Sequence, residues 1–156
     1  MDESPGTVLA IDPATVSGWV LIPDLGQIQY GTLDLSNFKG NRPAILDAFL
    51  VWLDTMDKRF VVDVWLYEQP YVQNQRSAYL QYAMIGLIEL VAHRGEAVFA
   101  SIHPSTLKKF ATGSGKSDKK AMLAAAQLES HKIETHDQAD AHFIAKWWMT
   151  EGRYRD

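Results

Sequence analysis

The chain has 156 residues, a formal net charge of −4 and no cysteine. This length fits one domain over residues 1–156 and buries roughly 70% of the unfolded chain's surface, so the core needs no disulfide or structural metal. The lack of thiols excludes cysteine nucleophiles, thiolate zinc sites and disulfide frameworks, while a polar, acidic start and the absence of any apolar run near ~18 residues point away from secretion and membrane spans and toward a cytoplasmic globule.

Thr7 to Ile11 is a short apolar run ending at Asp12-Pro13, which predicts a buried strand. Gly18 to Ile22 predicts a second strand. After the turn Pro23-Asp24-Leu25-Gly26, the alternating stretch Gln27 to Leu35 predicts a third, completing an antiparallel meander. Pro43 to Met56 has apolar residues at helical spacing, with Pro43 suited to a first turn. Val61 to Tyr67 reads as a strand ending at Glu68. Ser77 to His93 is a long apolar helix closed by Arg94-Gly95. Ala97 to Ile102 reads as a strand and Pro104 to Thr112 as a short helix. Gly113-Ser114-Gly115 reads as a flexible loop, followed by a helix capped by Ser117 or Asp118 and running to Glu129, then a last helix over Thr135 to Thr150. A meander followed by strands alternating with helices predicts an α/β fold with helices on both faces, the element order of an RNase H-like fold.

Four carboxylates stand out by placement. Asp12 and Glu68 each follow an apolar strand, and α/β sheets gather their sites at strand ends. Asp137 and Asp140 are three apart near a helix start, marked by Thr135 and Gln138 at capping-box spacing, and so share a face. Taken singly, each acid has a structural explanation: a turn former for Asp12, a helix-dipole partner for Asp137, an edge residue for Glu68. Together they would repel one another without a cation between them. An all-oxygen donor set suits Mg²⁺, with Mn²⁺ as substitute. Two such ions roughly 4 Å apart activate water and stabilise a leaving oxygen in phosphodiester hydrolysis. Net acidity speaks against a nucleic-acid partner, but Lys108, Lys109, Lys116, Lys119 and Lys120 fall within thirteen residues beside a glycine-containing loop. Gly115-Lys116-Ser117 does not extend to a nucleotide-binding phosphate loop, because Phe110 stands where that motif needs Gly. Tyr79, Tyr82, Met84, Ile85, Leu87, Ile88 and Val91 make their helix apolar on more than one side, which means burial or a partner.

These residues resemble the motifs of the RuvC family of Holliday junction resolvases. Ile11-Asp12-Pro13-Ala14-Thr15-Val16-Ser17-Gly18-Trp19 is similar to its first motif, with Ala14 where the family usually has Gly. Tyr67-Glu68-Gln69-Pro70-Tyr71 resembles the second. Pro104 to Lys109, Thr112 to Gly115 and Asp118-Lys119 resemble the stretch before the final helix, and Asp137-Gln138-Ala139-Asp140-Ala141 the closing motif. The resemblance covers roughly residues 7–148. It implies a mixed five-stranded RNase H-like sheet and a homodimer, with the Tyr79–Val91 helix in the interface. It also implies Mg²⁺- or Mn²⁺-dependent paired nicking of four-way junctions in recombination and repair. Asp12, Glu68, Asp137 and Asp140 would hold two ions. Lys119 would join them in catalysis, and Tyr71, Arg76, Lys108, Lys109, Lys116, Lys119 and Lys120 would contact DNA, Tyr71 by stacking at the junction centre. The short chain resembles compact phage-encoded relatives, some of which cut branched DNA more generally, including three-way and flap DNA. No motor-protein partner is assigned. Three other readings stay open: an actin- or sugar-kinase-like ATPase, a non-catalytic DNA-binding module, and a nuclease of the same fold acting on RNA–DNA hybrids.

Overall fold

The computed structural model describes residues 4–70 and 75–154. The meander is β1 (Val8–Asp12), β2 (Val16–Ile22) and β3 (Gln29–Asp34), paired antiparallel. A helix α1 (Arg42–Phe60) carries the chain back to β4 (Val64–Glu68), which lies parallel to β1. A second helix, α2 (Gln75–Arg94), leads to β5 (Val98–Ile102), parallel to β4. The sheet order is β3-β2-β1-β4-β5. Three helices follow: α3 (Pro104–Thr112), α4 (Lys119–Glu129) and α5 (His136–Thr150). The strands and helices thus follow the predicted order, and the sheet is the mixed five-stranded one expected.

Strand alternation divides the core into two layers. Leu9, Ile11, Leu21, Trp65 and Tyr67 face one way, against Phe49 and Leu53 of α1 and Met84 and Ile88 of α2. Val8, Ala10, Val20, Val64, Leu66 and Ile102 face the other way, against Leu107, Met122 and the α5 residues Ala139, Phe143 and Ile144. Central strands β1 and β4 are covered on both sides, which is why their sequences are apolar without interruption. At roughly 25 cal/mol per Å² of apolar surface removed from water, a fully buried side chain such as Trp65, Phe49 or Phe143 contributes about 2–3 kcal/mol.

The two boundaries around Val61 differ most from expectation; the others shift by at most two residues. The helix predicted to stop at Met56 runs on to Phe60, and the strand predicted from Val61 begins at Val64. Val61 adopts φ 51° and caps α1, its N–H donating to the Asp57 carbonyl, while the Val62 N–H donates to Asp57 Oδ1. Asp63 then accepts from the Thr7 N–H at 2.8 Å, tying the turn to the entry of β1. A β-branched residue in the left-handed region is rare, so an apolar Val-Val pair reads as strand from sequence. At the β1–β2 turn, Ala14 keeps a negative φ. The buried Ser17 hydroxyl accepts from the Ala14 N–H at 3.0 Å and donates to the Ala14 carbonyl at 2.8 Å, so the turn closes without glycine there.

Candidate active site

The same alternation that builds the core aims the acids. On β1, Val8 and Ala10 face α5, so Asp12, two residues on, faces α5 as well. On β4, Val64 and Leu66 put Glu68 on that face too. The last pair in the β1–β4 register is Ile11 with Tyr67, so Asp12 and Glu68 stand one step beyond it on adjacent strands. The third acid comes down from α5. Thr135 caps this helix, its hydroxyl accepting the Gln138 N–H at 3.2 Å. The Gln138 side chain reaches back to the Glu134 N–H at 2.9 Å and donates to Thr32 Oγ1 at 3.0 Å, fixing the first turn over the meander. Gly18, paired with Asp12 in the ladder, makes room for that turn: a Cβ there would overlap the Asp137 carbonyl and the Gln138 nitrogen.

The result is a cluster in which Asp12, Glu68 and Asp140 each offer a carboxylate oxygen within 4.8 Å of the others. All three are partly buried. Burial raises the Asp12 carboxyl well above its ordinary range, and the charges of Glu68, Asp140 and Asp137 and a hydrogen bond with Asp140 raise it further. Glu68 is pushed up to about 7, first by burial and then by Asp140, against a hydrogen bond from Asp12 and the Lys108 charge. Asp140 is pushed up to about 6 by burial and Asp137, opposed by His136, Asp12 and Lys108. Three hard oxygen donors that disfavour one another's ionisation fit a divalent cation, whose charge would reverse every one of these repulsions.

Asp137 stands outside this cluster. Its Oδ1 lies 3.1 Å from His136 Nδ1, and it acts on Asp12 and Asp140 through its charge. The predicted cations separate. Lys108 and Lys119 line a cleft of about 590 Å³ together with Glu68 and Asp140. Lys109 lines a neighbouring hollow with Phe110 and Glu151, while Lys116 and Lys120 are exposed and do not line the acidic cleft. Arg76, at the start of α2, lines a different cleft beside α1. Tyr71 lies outside the described residues. The stretch after α3 is tied down by Gly113 at φ 86°, whose N–H donates to the Lys109 carbonyl, and by contact between the Thr112 and Ser117 hydroxyls.

One cleft residue escapes sequence reasoning. His103 lines the acidic cleft and caps α3, its Nδ1 accepting the Ser105 N–H at 3.1 Å. With Nδ1 an acceptor, the neutral ring carries its proton on Nε2. The available signal was its position directly after β5, since Ile102 pairs with Glu68 and the next residue sits at the same sheet end.

No protein-family model matches the chain, and no curated protein matches it by sequence. Solved structures do. RuvC of Thermus thermophilus superimposes with a TM-score of 0.72 at 17% identity, over 94% of this chain and 96% of that one. The fold is that of RuvC. T. thermophilus RuvC in complex with a Holliday junction substrate matches the chain at TM-score 0.67 and 16% identity, over 93% of this chain and 97% of that one. Ydc2, the yeast mitochondrial Holliday junction resolvase, matches at 0.67 and 15%, over 96% of this chain and 80% of its own.

Proposed function

We propose that the chain is a divalent-metal-dependent endonuclease that resolves Holliday junctions and cuts other branched DNA near the branch. The observation that carries this reading is the Asp12–Glu68–Asp140 cluster at the sheet end, beside Lys108 and Lys119, in the fold of a protein solved with a junction substrate. Mg²⁺ or Mn²⁺ held by the three carboxylates would supply an activated water and charge neutralisation at the phosphate. Asp137 stands one turn away to complete the negative field and take part in holding a second ion. Lys119 and Lys108 place positive charge on the wall of the same cleft, where they bind and orient the scissile phosphate. Lys109, Lys116, Lys120 and Arg76 add to the electrostatic footprint outside it.

Paired nicks need two active sites. Tyr79 and Tyr82 are more than half exposed, Leu90 is 37% exposed, and with Gly86 they form one stripe along α2. Large apolar groups in line on an uncovered helix face support a homodimer through α2.

The test is cleavage of labelled four-way, three-way, flap and linear duplex DNA with Mg²⁺, Mn²⁺ or EDTA. Paired nicks near the branch, lost in EDTA and lost in Asp140→Asn while that variant still binds junctions, are the expected result. Wild-type cutting rates in Asp140→Asn would remove the cluster from the chemistry. No cutting of any branched DNA by folded protein would leave a binding module.

A further inference from the structure

The catalytic end of the sheet carries a second cleft on its other face, of about 580 Å³, lined by Thr15, Lys39, Arg42, Arg76, Ser77 and Leu80. Its cations come from three separate segments: the turn after β3, the start of α1 and the start of α2. None of the described residues lining it is acidic, in a chain whose net charge is −4. The acidic cleft, by contrast, mixes Lys108 and Lys119 with Glu68, Asp118 and Asp140. Thr15 belongs to the short turn that begins right after Asp12, so the two clefts flank the same strand ends, one in each helical layer.

The arginines stand where a helix ordinarily places the opposite charge. A helix N-terminus carries partial positive charge and normally attracts Asp or Glu. Neither α1 nor α2 has an acid in its first turn, and each has an arginine there, Arg42 and Arg76. Arg42 is held in place over the Tyr79 ring at 5.2 Å, a contact that fixes the guanidinium without neutralising it. Two positive helix ends and three cations converge on one hollow, an arrangement that favours an anion there.

We infer that Lys39, Arg42 and Arg76 form a second phosphate site, which grips the backbone of branched DNA on the face of the sheet opposite the lysine-lined metal cleft. It rests on the nuclease reading above and extends it: a strand crossing the sheet end meets cations on both sides of the acids. Lys39 and Arg42 then set affinity and register while taking no part in the chemistry.

The experiment is the salt dependence of four-way junction binding by wild type, Lys39→Gln, Arg42→Gln, the double variant and a control double variant, Lys58→Gln with Arg94→Gln. The control removes the same charge at the far ends of α1 and α2. Each phosphate contact contributes about 0.9 to the slope of log K against log salt. The double variant should therefore lose about 1.8 of slope and bind roughly 60-fold more weakly at 0.1 M salt, with the control close to wild type. An unchanged slope in the double variant, or an equal loss in the control, overturns the second site while leaving the nuclease reading intact. Failure of the wild type to bind any branched DNA overturns both.

Discussion

Replacing Glu68 by Gln should stabilise the metal-free protein, and only at neutral to alkaline pH. Folding raises the Glu68 carboxyl from 4.5 to about 7, through burial first and Asp140 second. Between those values the unfolded chain has given up its proton while the native state still holds it. The native state therefore binds more protons, and stability falls as pH rises through this window and stays low above about 7. At 1.36 kcal/mol per pH unit the full cost at pH 8 is on the order of 3 kcal/mol, and near pH 4 it is close to nothing. Gln has nearly the same volume and no charge to desolvate. Urea denaturation in EDTA should show Glu68→Gln more stable than wild type at pH 8 by up to ~3 kcal/mol, or roughly 6–12 °C in Tm for a domain of this size. At pH 4 the two should coincide. Adding Mg²⁺ should stabilise the wild type and leave the variant nearly unmoved, closing the gap. A stability difference that is the same at pH 4 and pH 8, or a variant less stable at pH 8, would refute the reasoning.

Gly18→Ala should push the first turn of α5 off β2, costing roughly 1–3 kcal/mol by overpacking and weakening Mn²⁺ binding in calorimetric titration; wild-type stability with wild-type Mn²⁺ affinity would show that the helix does not depend on that contact. Tyr82→Asp should place a charge in the α2 stripe and raise the dimer dissociation constant at least roughly 100-fold, since an ionised group unpaired at an interface core is strongly disfavoured. Sedimentation velocity across a concentration series reads this directly, and a wild type that is monomeric throughout would remove the dimer.

The fold was legible because its signals are local. Uninterrupted apolar runs mark β1 and β4, Pro104 opens α3 where predicted, and Thr135 caps α5 where the Thr135–Gln138 spacing places it. What escaped depends on tertiary contacts. Val61 looks like strand but caps a helix, because Asp57 and Asp63 hold the turn around it. In the site, placement at strand ends was enough to bring Asp12 and Glu68 together. The i, i+3 rule put Asp137 and Asp140 on one face, yet Asp140 joins the carboxylate cluster while Asp137 lies beside His136. A helix crossing a sheet end brings only one of its turns nearest to it, and sequence spacing does not say which. The lysines likewise sit close in sequence, but α3 turns Lys108 into the cleft and Lys109 out of it.

The docking of α5 also sets when the protein can act during its synthesis. Asp12 and Glu68 leave the ribosome early, but Asp140 lies ~70 residues behind Glu68, on an element C-terminal to every strand. At roughly 5–20 residues per second, that gap amounts to about 4–14 s of translation. Until residues 136–150 have emerged and settled over Gly18, two carboxylates stand alone at the sheet end, and no truncated product lacking this helix assembles the full cluster. On the nuclease reading proposed above, a site finished last is a built-in safeguard: a product of interrupted translation, or one that has lost this helix, lacks Asp140 and leaves the cluster incomplete.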